Sequence, residues 1–295
     1  MSPQREPRHK PVLSAEIMPL LNPSPGETWV DCTIGVGGHA RLITEKLGDT
    51  GRLLGLDQDP TMLDLARARL SGLPVVLVHA NFDQLASVLS NFGVSSVDGV
   101  FADLGFCSDQ LEQANRGFSF REDGPLDMRL DPTSGETAAS AVNRLSEGAL
   151  ADLFWEYGEE RFSRRIARKI VEQRKEKPLT TTAELANLVR SCVPRSGGID
   201  PATRVFQALR IAVNDELGAL DRLLAALPRL VKPGGRVGVI SFHSLEDRRV
   251  KQTFRSASVW QPLTKKPVEA GEGEISLNPR ARSAKLRVAV RKEFS

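Results

Sequence analysis

Cysteine is scarce in this chain. Cys32, Cys107 and Cys192 lie scattered along 295 residues, with no CxxC and no paired spacing. That excludes a disulfide framework and reads as free thiols in a reducing compartment. The four histidines, His9, His39, His79 and His243, show no metal-ligand spacing, so no metal site, zinc included, is expected. No run approaches the roughly 18 apolar residues that a membrane span needs. The first fourteen residues, MSPQREPRHKPVLS, lack an apolar stretch and do not read as a secretory signal. Glu6 and three prolines argue against an amphipathic presequence there, so the expected location is the cytoplasm.

A strong charge imbalance is missing as well. Forty Lys+Arg against 37 Asp+Glu leave a net charge of +3, too small to mark the whole chain as a nucleic-acid binder. The distribution says more. Residues 161–177 hold eight basic and two acidic side chains, 248–266 hold six basic and none acidic, and 280–295 hold six basic against Glu293 alone. Each cluster by itself reads equally well as a solvated face, but three together point modestly to a polyanion. The remaining balance, 40% hydrophobic and 26% charged, is that of a globular protein large enough to fold without staples.

Hydrophobic patterning gives the organisation. TWVDC (28–32) is a strand-like run that ends at the glycine-rich IGVGGHA, and Leu42, Ile43 and Leu47 follow at helical spacing. RLLGLD (52–57) is the next strand, after which Asp59-Pro60 supplies an N-cap and a proline at the first helical position. VVLVH (75–79) and VDGVFADLG (97–105) are two further strands, with a helical stretch near 83–91 between them. The expected fold class is therefore α/β, a doubly wound parallel sheet.

The alternation then stops. Residues 108–135 read as a long ordered loop, 147–157 as a helix closed by Gly158, and 159–176 as a longer helix. The latter places Phe162, Ile166 and Ile170 on one face and Arg164, Arg165, Arg168 and Lys169 around the rest. Thr181 and Glu184 form a capping box for a third helix. Thus 108–203 is an inserted all-helical domain, flanked by 1–107 and 204–295. In the second flank we expect a long helical stretch over 202–231, the turn Pro233-Gly234-Gly235 and a strand over 236–242. A mobile loop over 256–284 and a closing edge strand, KLRVAVR (285–291), complete it.

Gly35-Val36-Gly37-Gly38-His39-Ala40 follows a strand and opens a helix, where glycine lets the main chain turn sharply and approach a ligand. About twenty residues on, Asp57 ends the second strand, and its two oxygens can accept both hydroxyls of an adenosine ribose. A dinucleotide would satisfy the same pattern. Three features favour S-adenosylmethionine over NAD. Asp31 precedes the glycines, where it suits a cationic amino group and would repel a pyrophosphate; Asp103 ends the fourth strand; and Lys232-Pro233-Gly234-Gly235 precedes the fifth.

At longer range the chain resembles the bacterial 16S ribosomal RNA cytosine-N4 methyltransferases. The resemblance rests on HKPVLSAEIMPLL (9–21), DCTIGVGGHARLI (31–43), GLDQDP (55–60), RGFSF (116–120), DGPLDMRLDP (123–132), YGEERFSRRIARKIV (157–171), PATRVFQALRIAVNDEL (201–217), ISFHSLEDRRVK (240–251) and NPRARSAKLRV (278–288). It implies a class I methyltransferase sheet with a helical insertion that recognises substrate. It also implies S-adenosyl-L-methionine as cofactor and N4-methylation of the cytosine at position 1402, in the decoding centre of the small subunit's 16S RNA. The cofactor contacts it implies fall on Gly37, Gly38, His39, Asp57, Phe82, Asp103 and Gln110; read from the residues alone, His39 could simply open its helix and Phe82 be ordinary core. One departure matters: after Asp103-Leu104-Gly105 the family usually reads Val-Ser-Ser-x-Gln-Leu, whereas this chain has Phe106-Cys107-Ser108-Asp109-Gln110-Leu111. Cys107 raises the rival chemistry of a C5-methyltransferase thiolate, although no proline precedes it. An NAD-linked oxidoreductase and a non-catalytic RNA-binding assembly factor are the other readings. Against the last, the glycine loop, Asp57 and Asp103 are all intact.

Overall fold

A computed structural model describes residues 11–194 and 198–293. His9, the first ten residues on which the leader reading rests, and the last two residues of the basic tail lie outside them. The chain forms two compact units. One carries the chain up to Gly105 and again from Leu217; the other is Phe106–Glu216.

The first unit opens with α1 (Ser14–Leu21), β1 (Thr28–Asp31), α2 (Gly38–Leu47), β2 (Arg52–Asp57), α3 (Pro60–Arg69), β3 (Val75–His79), α4 (Leu85–Asn91) and β4 (Val97–Asp103). The second unit contributes α5 (Ser108–Glu112), α6 (Ala138–Arg144), α7 (Glu147–Gly158), α8 (Ser163–Glu176), α9 (Thr182–Cys192) and α10 (Ala202–Val213). Then come α11 (Glu216–Leu230), β5 (Val231–Ser241), α12 (Ser244–Phe254), β6 (Trp260–Pro262), α13 (Glu272–Leu277) and β7 (Lys285–Arg291). Among the described residues no helix is long and apolar enough to cross a membrane.

The seven strands form one sheet in the order β3-β2-β1-β4-β5-β7-β6, parallel from β3 to β5. Strand β7 runs antiparallel to both its neighbours. Alternating residues feed two cores. Val30, Leu54, Val100 and Val239 face one, and Trp29, Leu53, Phe101 and Ile240 the other. Each fully buried side chain of this size stabilises the fold by about 1.5–3 kcal/mol. Gly99 is required where β4 crosses Trp29, because a Cβ there would come within 2.4 Å of the indole ring.

Several sequence expectations change. Strand 285–291 is interior, because Trp260, Gln261 and Pro262 pair along its outer side and take the edge. The segment 256–284 is ordered as β6, α13 and a 3₁₀ turn, with Val268 and Leu286 exchanging two backbone hydrogen bonds of 2.9 Å. Strand β5 starts at Val231 instead of 236, and its pairing with β4 shifts register between Val97 and Gly99. The helical stretch expected over 202–231 breaks at Asn214-Asp215, where Asp215 adopts φ 47°. Helix α10 therefore lies wholly within the second unit, which extends to Glu216, thirteen residues past the boundary drawn at 203.

In the second unit the capping box forms as expected: Thr181 accepts the Glu184 N–H and the Glu184 carboxylate accepts the Thr181 N–H. Helix α8 begins at Ser163, and Phe162, placed on its apolar face from sequence, is its N-cap residue and stays 39% exposed. Helices α1 and α6 had no sequence signal. Pro19 interrupts the first, and the second has seven residues, three of them alanine. The long segment before α6 is held by a buried and a half-buried polar group. Arg116 Nη2 donates to the Arg129 and Leu130 carbonyls, both at 3.0 Å, and its guanidinium stacks 5.6 Å from the Phe118 ring centre. Asn214 accepts the Leu130 N–H at 2.7 Å and donates to the Met128 carbonyl at 2.8 Å. These bonds explain the RGFSF and DGPLDMR motifs as the frame of an ordered loop.

Candidate cofactor site

Strands β2, β1 and β4 are adjacent, and each ends in a carboxylate: Asp57, Asp31 and Asp103. Helix α2 packs in the core that Trp29 faces and α11 in the core that Val30 faces, so the helices after β1 and before β5 cover opposite faces of the sheet, and the carboxyl edge between β1 and β4 is the topological switch where such sheets bind ligands.

The loop from β1 to α2 turns through Gly35 (φ 48°) and Gly37 (φ 83°). Left-handed backbone at Gly37 excludes other residues for a second reason, since a Cβ there would sit 2.9 Å from Leu70 Cδ1. Asp57 ties this loop to β2: its Oδ2 accepts the Gly35 N–H and its Oδ1 the Asp59 N–H, each at 2.9 Å. A carboxylate has about four acceptor sites, so one held by these backbone N–H groups can still receive ligand hydroxyls. Burial pushes its pKa up to about 6, against the pull of the backbone N–H groups.

Asp31, 1% exposed, accepts the Thr33 N–H at 3.1 Å, and burial pushes its pKa up to about 7. Its side chain is closed off from solvent. The carboxylate open to a cationic ligand is Asp103, which keeps 21% of its side chain exposed. Burial, then the nearby Asp31, push the Asp103 pKa up to about 8, and Arg280 opposes them. One Asp103 oxygen, Oδ1, is buried and has no hydrogen-bond partner among the described residues. Crowded carboxylates with an orphaned oxygen suit a ligand that brings a positive charge and N–H donors.

His39 opens α2 and is buried. Its Nε2 lies 2.8 Å from the Val12 carbonyl, its Nδ1 3.6 Å from Asp103 Oδ2, and its ring 4.8 Å from that of Phe101. Gly37, Gly38, His39, Asp57 and Asp103 thus share one edge of the first unit. Phe82 follows β3 in a 3₁₀ turn and packs, half-buried, on the core beneath. Gln110 lies in the helical unit, where its Oε1 accepts the Cys107 N–H at 2.9 Å and caps α5. Two groups were not foreseen from sequence, although their motifs were noticed. Arg280 of NPRARS lies close enough to Asp103 to act on its charge, and Glu246 of SFHSLE adds a negative one.

Strand order, the antiparallel β7 and the glycine loop with its carboxylates define a class I S-adenosylmethionine-dependent methyltransferase fold. Within that class the chain belongs to the MraW methylase family, whose family model matches residues 6–292. It is 52% identical to the "Ribosomal RNA small subunit methyltransferase H" of Sorangium cellulosum (strain So ce56), covering 96% of this chain and 91% of that protein. A protein with the same description from Deinococcus radiodurans is 53% identical, with 96% and 89% covered. A solved rRNA methylase from Streptococcus thermophilus, 9% identical, aligns over 93% of this chain and 92% of its own with a TM-score of 0.44.

Proposed function

We propose that this protein uses S-adenosyl-L-methionine to methylate N4 of cytosine 1402 in 16S ribosomal RNA, acting on the small ribosomal subunit in the cytoplasm. The observation that carries this reading is the row of Asp57, Asp31 and Asp103 around the glycine loop, taken with the family. A dinucleotide pyrophosphate beside the glycine loop would meet the Asp103 carboxylate with the buried Asp31 behind it, which disfavours the NAD-linked alternative. Titration calorimetry is expected to give heat with S-adenosyl-L-methionine and none with NADH; the reverse would overturn the reading.

When bound, S-adenosyl-L-methionine supplies an electrophilic methyl group on a sulfonium. Asp57 would take the ribose hydroxyls, the Gly37–His39 main chain would border the methionine part, and the Asp103 carboxylate would receive its ammonium. Phe82 offers a ring for adenine; Gln110, as a contact to the polar tail, rests on the resemblance alone. The target amine is a weak nucleophile because its lone pair is delocalised into the ring. The protein must hold the extracted base in line with the methyl group, at about 3–3.5 Å, without a covalent step. Cys107, half-buried at the start of α5, is not needed for this route, and the proline that would precede a C5-methyltransferase thiolate is missing. Cys107→Ser is expected to retain most activity and to yield N4-methylcytidine; a 5-methylcytidine product in the wild type would overturn the assignment.

Ribosomal RNA is gripped through phosphate contacts by the helical unit and the basic segments near the C-terminus. Arg164, Arg165, Arg168 and Lys169 are exposed along α8, with weak surface pairing from Arg168 to Glu147 and from Lys169 to Glu172. Arg248 is exposed; Arg249 is a poorer candidate, being held by Asp221 and the Leu245 carbonyl. Neutralising the four α8 residues is expected to lower the salt slope of RNA binding by about 0.7–0.9 log units per lost contact. An unchanged slope would return them to a solvated face.

A further inference from the structure

The N-terminal segment packs against the glycine loop and is bonded to the segment before β7. A Cβ on Gly38 would come within 3.0 Å of the Pro11 ring, so Pro11 lies directly against the loop. Val12 and Leu13 follow, 3% and 0% exposed, with Leu13 held at φ 56°. Left-handed backbone at a non-glycine residue is strained and persists only where its surroundings fix it. The Leu13 carbonyl caps α1, accepting the Glu16 and Ile17 N–H groups at 3.1 and 2.9 Å, and its own N–H is held as well. The Leu13 N–H donates at 2.8 Å to Oε1 of Glu274, a residue 261 positions away on α13.

The Val12 carbonyl and the Leu13 N–H are the two ends of one planar peptide group. The nitrogen end is held by the Glu274 carboxylate, and the oxygen end accepts from His39 Nε2 at 2.8 Å. Because a carbonyl can only accept, this bond places the imidazole proton on Nε2 and turns Nδ1 toward Asp103 Oδ2, 3.6 Å away. A carboxylate on the N–H also polarises the peptide so that its oxygen is a stronger acceptor. We propose that Glu274 is a positioning residue for the cofactor site, acting through the Val12–Leu13 peptide to fix the tautomer and orientation of His39 beside Asp103. The effect on cofactor binding rests on the S-adenosyl-L-methionine reading above; the effect on His39 does not.

The relay accounts for two otherwise separate facts: a buried leucine in a strained conformation, and an ordered α13 in a segment rich in proline, glycine and serine. Helix α13 ends one residue before Asn278, whose side chain accepts the Arg280 N–H at 3.3 Å, so the element that holds the Val12–Leu13 peptide also leads into the arginine whose charge acts on Asp103.

The test compares Glu274→Ala and Glu274→Gln with the wild type, reading His39 by 15N-imidazole NMR in the ligand-free protein and S-adenosyl-L-methionine affinity by calorimetry. Glu274→Ala is expected to lose the Nε2–H preference of His39 and to weaken binding roughly tenfold, as for one hydrogen bond to a charged group. Glu274→Gln keeps an acceptor oxygen and is expected to keep the wild-type tautomer, with affinity within about threefold. If Glu274→Ala does not fold, Glu274→Asp, whose shorter side chain withdraws the carboxylate from Leu13, takes its place with the same expected losses. A wild-type His39 spectrum in the alanine variant overturns the relay, and an altered spectrum with unchanged affinity overturns the positioning role. Failure of the wild type to bind S-adenosyl-L-methionine overturns the cofactor reading, while the His39 spectra still decide the relay.

Discussion

Asp57→Ala is expected to weaken S-adenosyl-L-methionine binding by about two to four orders of magnitude while the protein stays folded. The carboxylate is held by the Gly35 and Asp59 N–H groups, which aim it without exhausting its lone pairs. Two charge-assisted bonds to ribose hydroxyls, each worth on the order of 1.5–3 kcal/mol, account for the loss. The fold survives because removing a carboxyl whose pKa burial has raised to about 6 relieves a desolvation cost, which offsets the two backbone bonds it made. Calorimetry with near-normal affinity would remove Asp57 from the site. Loss of the cooperative thermal transition would make it a structural residue instead.

Asp103→Asn is expected to do two opposite things: abolish cofactor binding and stabilise the ligand-free protein at neutral and alkaline pH. The folded pKa, about 8, lies above the ordinary 3.8, so the native state binds more protons than the unfolded chain between those values. Stability therefore falls as pH rises through that window, and full stability is present only below about pH 4. The amide carries no charge and escapes the loss. Its advantage is nil near pH 4 and largest above pH 8. Allowing for the 21% of the Asp103 side chain that solvent still reaches, a gain on the order of 1–2 kcal/mol corresponds to a rise in Tm of about 2–8 °C. A variant less stable than wild type at pH 8 would contradict the picture of a buried carboxylate that Arg280 offsets only in part. Stability given up at a binding site in this way is a common exchange.

What was legible in the sequence follows the range over which each feature is determined. The strands of the Rossmann-like half, the Asp59-Pro60 helix start and the Thr181–Glu184 capping box depend on residues a few positions apart, and all formed at or near their expected places. Strand 285–291 was recognised, but its place in the sheet depends on Trp260–Pro262, which pair outside it and have no strand pattern of their own. The break at Asn214-Asp215 escaped because apolar periodicity continues on both sides of it. What stops the helix there is the Asn214 side chain, spent on Leu130 and Met128 more than eighty residues earlier. In the candidate site, Asp57 and the glycines were legible from their spacing and Asp103 from its place at a strand end. Asp31 was seen, but its complete burial was not, since burial depends on both neighbouring strands. Arg280 and Glu274 could not be assigned, because their partners lie at the opposite end of the chain or across the sheet edge.

The central claim is most directly tested by nucleoside mass spectrometry of 16S RNA from small subunits of a strain lacking this protein, before and after incubation with the purified protein and S-adenosyl-L-methionine. Appearance of one N4-methylated cytidine, mapping to the decoding-centre fragment and absent with Asp57→Ala, is the predicted result. An RNA left unmodified by a protein that binds the cofactor, or methyl groups found on carbon 5 or on another base, would contradict it.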